Sequence, residues 1–231
     1  MAASWSIDRW PRDNPARNQM ATPARDFEKN VFINCPFDPA YRSLLRSLLF
    51  TVLYFGYTPK IVSERSDSAE QRIEKICELI ERSKYSIHDL SRLKSNRKNE
   101  FSRHNMPFEL GIDYGCRKFA GKNLREKKFL ILEKEKHDYS KAISDLSGID
   151  IQSHNDDPES LIRAVRDWFL VTVGIKKPKP ASVIWNEFNL FIANFDIERR
   201  REGYKDKDIY DMPTSEFAAF IKDWLARRRF R

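Results

Sequence analysis

Two rhythms of apolar residues alternate along this chain: short continuous runs, and longer stretches in which apolar positions recur at i, i+3, i+4 and i+7. Val31-Phe32-Ile33-Asn34-Cys35 is a run of strand formers that Pro36 stops. Asp38-Pro39 then offers a helix cap with proline at the first helical position. From Tyr41 to Phe55 the chain is nearly apolar on every face, which predicts a buried helix that Gly56 ends. Thr58 to Val62 predicts a second strand. After a polar loop at Ser63-Glu64-Arg65-Ser66-Asp67, Ser68 and Gln71 stand in capping-box position before an amphipathic stripe of Ile73, Ile76, Cys77 and Ile80. Tyr85 to Leu90 reads as a third strand. The polar segment Ser91 to His104 reads as a surface loop.

Asn105 is placed to cap a helix over Met106 to Phe119, with Pro107 tolerated in its first turn. Lys128 to Leu132 predicts a fourth strand and Tyr139 to Leu146 a short helical piece. Ile149-Asp150-Ile151 predicts a fifth strand, and Asp157-Pro158 opens a helix with Leu161, Ala164, Val165, Trp168 and Phe169 on one face. Strands alternating with helices predict an α/β, doubly wound, flavodoxin-like domain over residues 26–173, with a five-stranded parallel sheet and right-handed crossovers. Residues 1–25 read as a flexible arm and the basic, proline-containing segment 174–182 as a linker. Residues 183–231 form a small helical appendage of two helices. One carries Trp185, Phe188, Phe191 and Ile192; the other, capped by Thr214, runs from Ser215 to Arg229 with Phe217, Phe220, Ile221, Trp224 and Leu225 on one face.

The 231 residues carry 42 Lys and Arg against 34 Asp and Glu, a net charge of +8. A basic surplus suits polyanions such as nucleotides, but the basic residues are scattered among acids, which equally fits a solvated surface. Binding of nucleic acid through the terminal arginines is the weaker reading. Cys35, Cys77 and Cys116 are too widely spaced for a zinc site, and an odd cysteine count with no apolar leader predicts reduced thiols in the cytoplasm. No apolar run reaches the roughly 20 residues that cross a bilayer, so no membrane association is expected. The seven glycines form neither GxGxxG nor GxxxxGK[ST], which argues against a dinucleotide dehydrogenase and a P-loop NTPase.

In a doubly wound sheet, ligands bind outside the carboxyl ends of the strands. That rule selects the loops after the strands, with Asn34, Phe37, Asp38, Ser63, Arg65, Asp89, Ser91, Arg92, Arg103 and Asn105 as candidate binding residues. The densest polar group is Asp89 to Arg92 together with Arg103 to Gly111. Glu109 falls near the start of the helix on that edge, where a carboxylate can hydrogen-bond ribose hydroxyls and stabilise positive charge at an anomeric carbon. The helix N-terminus favours its ionised form. Spacing alone leaves two readings open, a working carboxylate or a partner for the helix dipole. Asp89 equally reads as a loop cap, Arg92 and Arg103 as phosphate ligands or as solvated arginines, and His88 as core.

VFINCPFD, SERSDS, YSIHDLSR and RHNMPFELG, in this order, resemble the bacterial TIR-like proteins, part of a flavodoxin-like group shared with the nucleoside 2-deoxyribosyltransferases. Over about 140 residues the element order matches. No Trp-Cys pair precedes the glutamate, and Asn34-Cys35-Pro36 replaces the usual Ser-Tyr-Ser-like start. The resemblance implies that Glu109 is the catalytic glutamate and that the reaction is hydrolysis of the nicotinamide–ribose bond of NAD. NAD is then substrate, and no cofactor or metal is needed. The resemblance further implies a homo-oligomer serving as an effector in bacterial antiphage defence, assembled by an upstream defence-signal protein. A nucleoside or nucleotide glycosidase, a deoxyribosyltransferase and a non-catalytic nucleotide- or protein-binding module are the alternatives.

Overall fold

The computed structural model describes residues 24–64, 69–93, 104–136, 139, 143–146 and 148–229. The expected arm, the Ser68 cap, Arg65, Arg103 and most of the loop after the third strand lie outside them. Among the described residues the elements run α1 Ala24–Phe27, β1 Asn30–Asn34, α2 Arg42–Tyr54, β2 Thr58–Lys60, α3 Arg72–Glu81, β3 Tyr85–Asp89, α4 Asn105–Phe119, β4 Lys128–Glu133, β5 Gln152–Ser153, α5 Pro158–Trp168, α6 Ala181–Arg201, α7 Asp206–Tyr210 and α8 Thr214–Arg229.

The five strands form one parallel sheet in the order β2-β1-β3-β4-β5, a doubly wound, flavodoxin-like α/β architecture. The chain builds outward from β1 to β2, then returns to place β3 on the other side of β1. The switch point therefore lies between the carboxyl ends of β1 and β3, where Asn34 stands opposite His88. Strand alternation sends Val31, Ile33 and Cys35 into a core with α2 and α5, while Phe32 packs with Val62, Ile76, Leu79 and Ile80 on the α3 and α4 side.

Helix α2 begins where the sequence marks it. Asp38 Oδ1 accepts from the Tyr41 N–H at 3.1 Å, Pro39 starts a 3-10 turn, and Gly56 takes a left-handed φ of 75° just past the end. Nine of its 13 residues are buried because both sides are covered, by α5 and the sheet on one and by α6 and α8 on the other. Ser47 and Thr51 survive inside by donating to the Leu44 and Ser47 carbonyls. Phe50 packs against Phe188, Phe191 and Trp224, so the helical appendage shares the apolar core of the α/β unit.

Several boundaries differ from the expectations. The fifth strand is Gln152–Ser153, not Ile149–Ile151; Ile151 is buried but unpaired, and the ladder with β4 begins at Gln152. Helix α3 starts at Arg72 with Gln71 in the capping place and no side-chain cap bond, and Ile73 is 37% exposed, outside the buried stripe. Asn105 is the first residue of α4 and does not cap it; His104 precedes it, also without a side-chain cap bond. Between Tyr139 and Leu146, Tyr139 and Ser144–Leu146 are in 3-10 turns among the described residues, and the Ile143 N–H donates to the Tyr139 carbonyl at 2.8 Å. The appendage has a third helix, α7, and α6 continues through the charged stretch to Arg201 because Arg200 pairs with Asp196 and Asp206. No helix among the described residues is long and apolar enough to cross a membrane.

Candidate functional site

The carboxyl edge of the sheet carries two polar networks, one on each face. On the α2 and α5 face the centre is Asp89, the last residue of β3, with no exposed surface. Tyr41 Oη donates to Asp89 Oδ2 at 2.5 Å, and the Ser91 N–H donates to Oδ1 at 2.9 Å. The Ser91 hydroxyl donates to the same Oδ1. His154 Nε2 lies 3.0 Å from Oδ2. The Asp156 N–H points at His154 Nδ1 at 3.1 Å, so Nδ1 accepts and the proton of a neutral ring sits on Nε2, facing Asp89. Burial pushes the Asp89 carboxyl up, but His154, Ser91 and Tyr41 outweigh it and leave Asp89 below the usual carboxylate range.

This network holds Ser, His and Asp together but does not activate the serine. Ser91 Oγ is 2.9 Å from Nε2, the nitrogen that already gives its proton to Asp89, so the ring has no free lone pair for the hydroxyl. Cys35 is no nucleophile either: burial, then the Asp89, Glu109 and Asp38 carboxylates, push its thiol well above its usual range. Asp89, expected as a helper at the ligand edge, is consumed by its own neighbours.

On the α3 and α4 face a chain of buried contacts runs under the sheet. Asn34 Nδ2 donates to the Met106 carbonyl at 2.8 Å and stands 3.1 Å from His88 Nδ1. His88 Nε2 is 3.1 Å from Asp113 Oδ2. Asp113 Oδ1 forms an ion pair with Lys127 Nζ at 3.2 Å, without hydrogen-bond alignment. Lys127 Nζ donates to the Ile80 carbonyl at 2.7 Å and to the Ser83 carbonyl. All four side chains are at most 2% exposed. Burial raises Asp113, but His88 and Lys127 outweigh it, so Asp113 is held ionised.

Glu109 lies one turn before Asp113 on the same side of α4 and is 3% exposed. Its Oε1 has no hydrogen-bond partner and is 3.9 Å from Nη2 of Arg72, a half-exposed side chain at the first position of α3. Burial pushes the carboxyl up to about 7, against the pull of the Arg72 guanidinium. The helix N-terminus was expected to favour the ionised form; here desolvation wins, because a dipole contributes about 0.3–1 kcal/mol near the surface and fades past the first turn.

The remaining candidates are spread along this edge. Arg92 bridges Asp38 at 3.5 Å and Asp156 at 3.6 Å, and Lys134 pairs with Asp156 at 2.9 Å, so carboxylates from the loops after β1 and β5 occupy Arg92. Phe37, Ser63 and Asn105 are exposed and outside both networks. Arg65 and Arg103 lie outside the described residues. A pocket of about 90 Å³ beside the β1–α2 loop is lined by Phe37, Asp38, Arg42, Arg46, Met212 and Phe217, not by Glu109. Sequence reasoning missed His154 and Arg72. His154 had one signal, its place just past the end of the fifth strand, which the expectation of β5 at Ile149–Ile151 hid; Arg72 had none. Among the described residues no group of three or more His, Cys, Asp or Glu side chains is arranged to hold a metal ion. No family model matches this chain, and no curated protein matches it.

Proposed function

We propose that this chain hydrolyses the N-glycosidic bond between nicotinamide and ribose in NAD, with Glu109 as the carboxylate that faces the ribose. One observation carries the reading: a carboxylate that is 3% exposed, with an unpartnered oxygen, at the carboxyl edge beside the switch point of a doubly wound sheet. Buried polar groups are almost always hydrogen-bonded, and an unsatisfied carboxylate at a ligand-binding edge is explained by a ligand that completes the set. The nicotinamide of NAD is a cationic leaving group, so the bond breaks without acid assistance. Nicotinamide departs with the bonding pair, and an ionised Glu109 stabilises the positive charge that grows at the anomeric carbon. Water adds to that carbon and loses a proton, which a carboxylate with a pKa of about 7 is suited to accept. In the same reading the chain works as a homo-oligomeric effector that depletes NAD in bacterial antiphage defence.

Nicotinamide release from NAD, at low and high protein concentration, tests this directly. Glu109→Gln and Glu109→Ala are expected to lose at least about 100-fold in kcat. Wild-type kcat/KM is expected to rise with pH through about 7, because the ionised form is the active one. Equal rates in wild type and variants, or binding of NAD without turnover, reject the hydrolase; base release from a panel of nucleosides instead would move the substrate to the nucleoside class.

A further inference from the structure

The buried chain on the α4 side determines which end of the Asn34 amide is left free. Nδ2 makes both of the amide's contacts, to the Met106 carbonyl at 2.8 Å and to His88 Nδ1 at 3.1 Å. Rotating the amide by half a turn would set Oδ1 against a carbonyl oxygen, two acceptors at hydrogen-bond distance, so Met106 alone forbids it. The other end of the chain demands the same orientation. Asp113, ionised beside Lys127, only accepts; a neutral His88 then donates from Nε2 and accepts at Nδ1, where Asn34 offers Nδ2. What remains is Asn34 Oδ1, buried and without a hydrogen-bond partner.

Glu109 Oε1 is a second such atom, and the two belong to one neighbourhood. Asn34 ends β1 and is tied to Met106 in the first turn of α4; Glu109 is three residues further along that helix. Two buried acceptors without hydrogen-bond partners, one held against the first turn of α4 and one on that helix, are costly unless a ligand brings donors to them. We propose that Lys127, Asp113 and His88 act as positioning residues that lock the Asn34 carbonyl oxygen open, so that Asn34 and Glu109 form a two-acceptor cradle selecting a ligand with two adjacent hydroxyl donors: the cis-diol of a ribose, in preference to a 2-deoxyribose. This rests on the ribosyl reading of the Glu109 site and adds the residue that reads the second hydroxyl. A site built to bond a hydroxyl rejects the analogue lacking it, since its acceptor is then left buried and unpaired.

The test measures tautomer and binding, neither of which requires turnover. In the full-length protein, ¹⁵N correlation spectra of the histidine rings are expected to show His88 as the neutral Nε2–H tautomer; a proton on Nδ1 overturns the proposal. NMR titration with ribose 5-phosphate and 2-deoxyribose 5-phosphate is expected to favour the ribose by at least about tenfold in wild type. Asn34→Ala is expected to abolish that preference, the ratio of the two affinities falling to about one. Asp113→Asn lets His88 turn a donor N–H towards Asn34 Nδ2, which pushes the amide off the Met106 carbonyl, and is expected to weaken the preference as well; if that variant does not fold, Asn34→Ala alone decides. Equal affinity for the two sugars in wild type, or a preference that survives Asn34→Ala, overturns the cradle even if NAD is hydrolysed. Diol selectivity without nicotinamide release would instead retain the cradle and reject the hydrolase.

Discussion

Between pH 4.5 and about 7 the native chain holds a proton on Glu109 that the unfolded chain has already released. The native state then binds more protons, so stability falls as pH rises across that window and stays at its lower level above it. The gap of about 2.5 pKa units corresponds to about 3 kcal/mol. Asp89 has the opposite sign: its lowered folded-state pKa contributes stability above its ordinary value of 3.8, lost as the pH falls through the folded value. Glu109→Gln removes the charge while keeping the shape. It is expected to be more stable than wild type by up to about 3 kcal/mol at pH 8, with the difference shrinking towards pH 4.5. Urea unfolding at the two pH values checks this; a difference that does not change with pH would mean that Glu109 carries no raised pKa. A residue that weakens the fold in its ionised form is what a site, rather than a scaffold, requires. The position of Glu109 was legible in the sequence, since helix start and sheet edge follow from patterning. Its protonation was not, because the dipole is a property of the helix alone, whereas desolvation depends on β1 and α3, which are distant in sequence.

At the scale of elements, α2 shows why some of the fold could be read and some could not. A stretch apolar on every face must be covered on both sides, and Leu44, Leu48, Val52 and Phe50 are all at most 1% exposed. Phe50→Ala is expected to destabilise the chain by about 3–5 kcal/mol, as a large aromatic deletion in a core that cannot close around the cavity. Phe119→Ala, at a ring 84% exposed, is expected to change stability by less than about 0.5 kcal/mol. Chemical denaturation of the pair measures both, and similar losses would contradict the burial. Strand β5 is the opposite case. Only two residues pair, and the pairing is set by where Leu132 and Glu133 of β4 offer their edge, so the apolar dipeptide pattern at Ile149–Ile151 pointed three residues too early. That small displacement hid His154, which belongs to the carboxyl edge only once β5 is placed at Gln152–Ser153. Caps divide the same way: Asp157 accepts from the Ser160 N–H at 2.8 Å and opens α5 as its sequence suggests, while α3 and α4 start without a side-chain cap bond.

For the whole molecule, the helices after Gly174 share one apolar core with the α/β unit. Gly174 takes a φ of 89° and ends the α5 segment, and Arg166 reaches the Lys179 carbonyl at 3.1 Å and the Pro178 carbonyl at 3.3 Å, which fixes the connecting segment against α5. Arg46 donates to the Ile209 carbonyl at 2.6 Å and Arg42 pairs with Asp211 at 3.2 Å, so α2 also grips the turn between α7 and α8. Phe188, Phe191, Phe217, Ile221 and Trp224 are all buried in one cluster with Leu45, Leu49 and Phe50 of α2. A chain cut after Gly174 would open that side of α2 to water. At roughly 1.5–3 kcal/mol for each large apolar side chain newly exposed, three or four such residues exceed much of the 5–15 kcal/mol that stabilises a typical domain. The cut chain is therefore expected to lose its cooperative unfolding transition, bind the dye ANS and lose near-ultraviolet circular dichroism, while the intact chain unfolds in one step. Because α2 follows the short loop that leaves β1 at Asn34, the same cut is expected to abolish ligand binding at the Glu109 edge although no residue of that edge is removed. A truncated chain that unfolded cooperatively near the temperature of the intact one would show that α6 to α8 rest on a self-sufficient domain, and the coupling between the two halves would have to be abandoned.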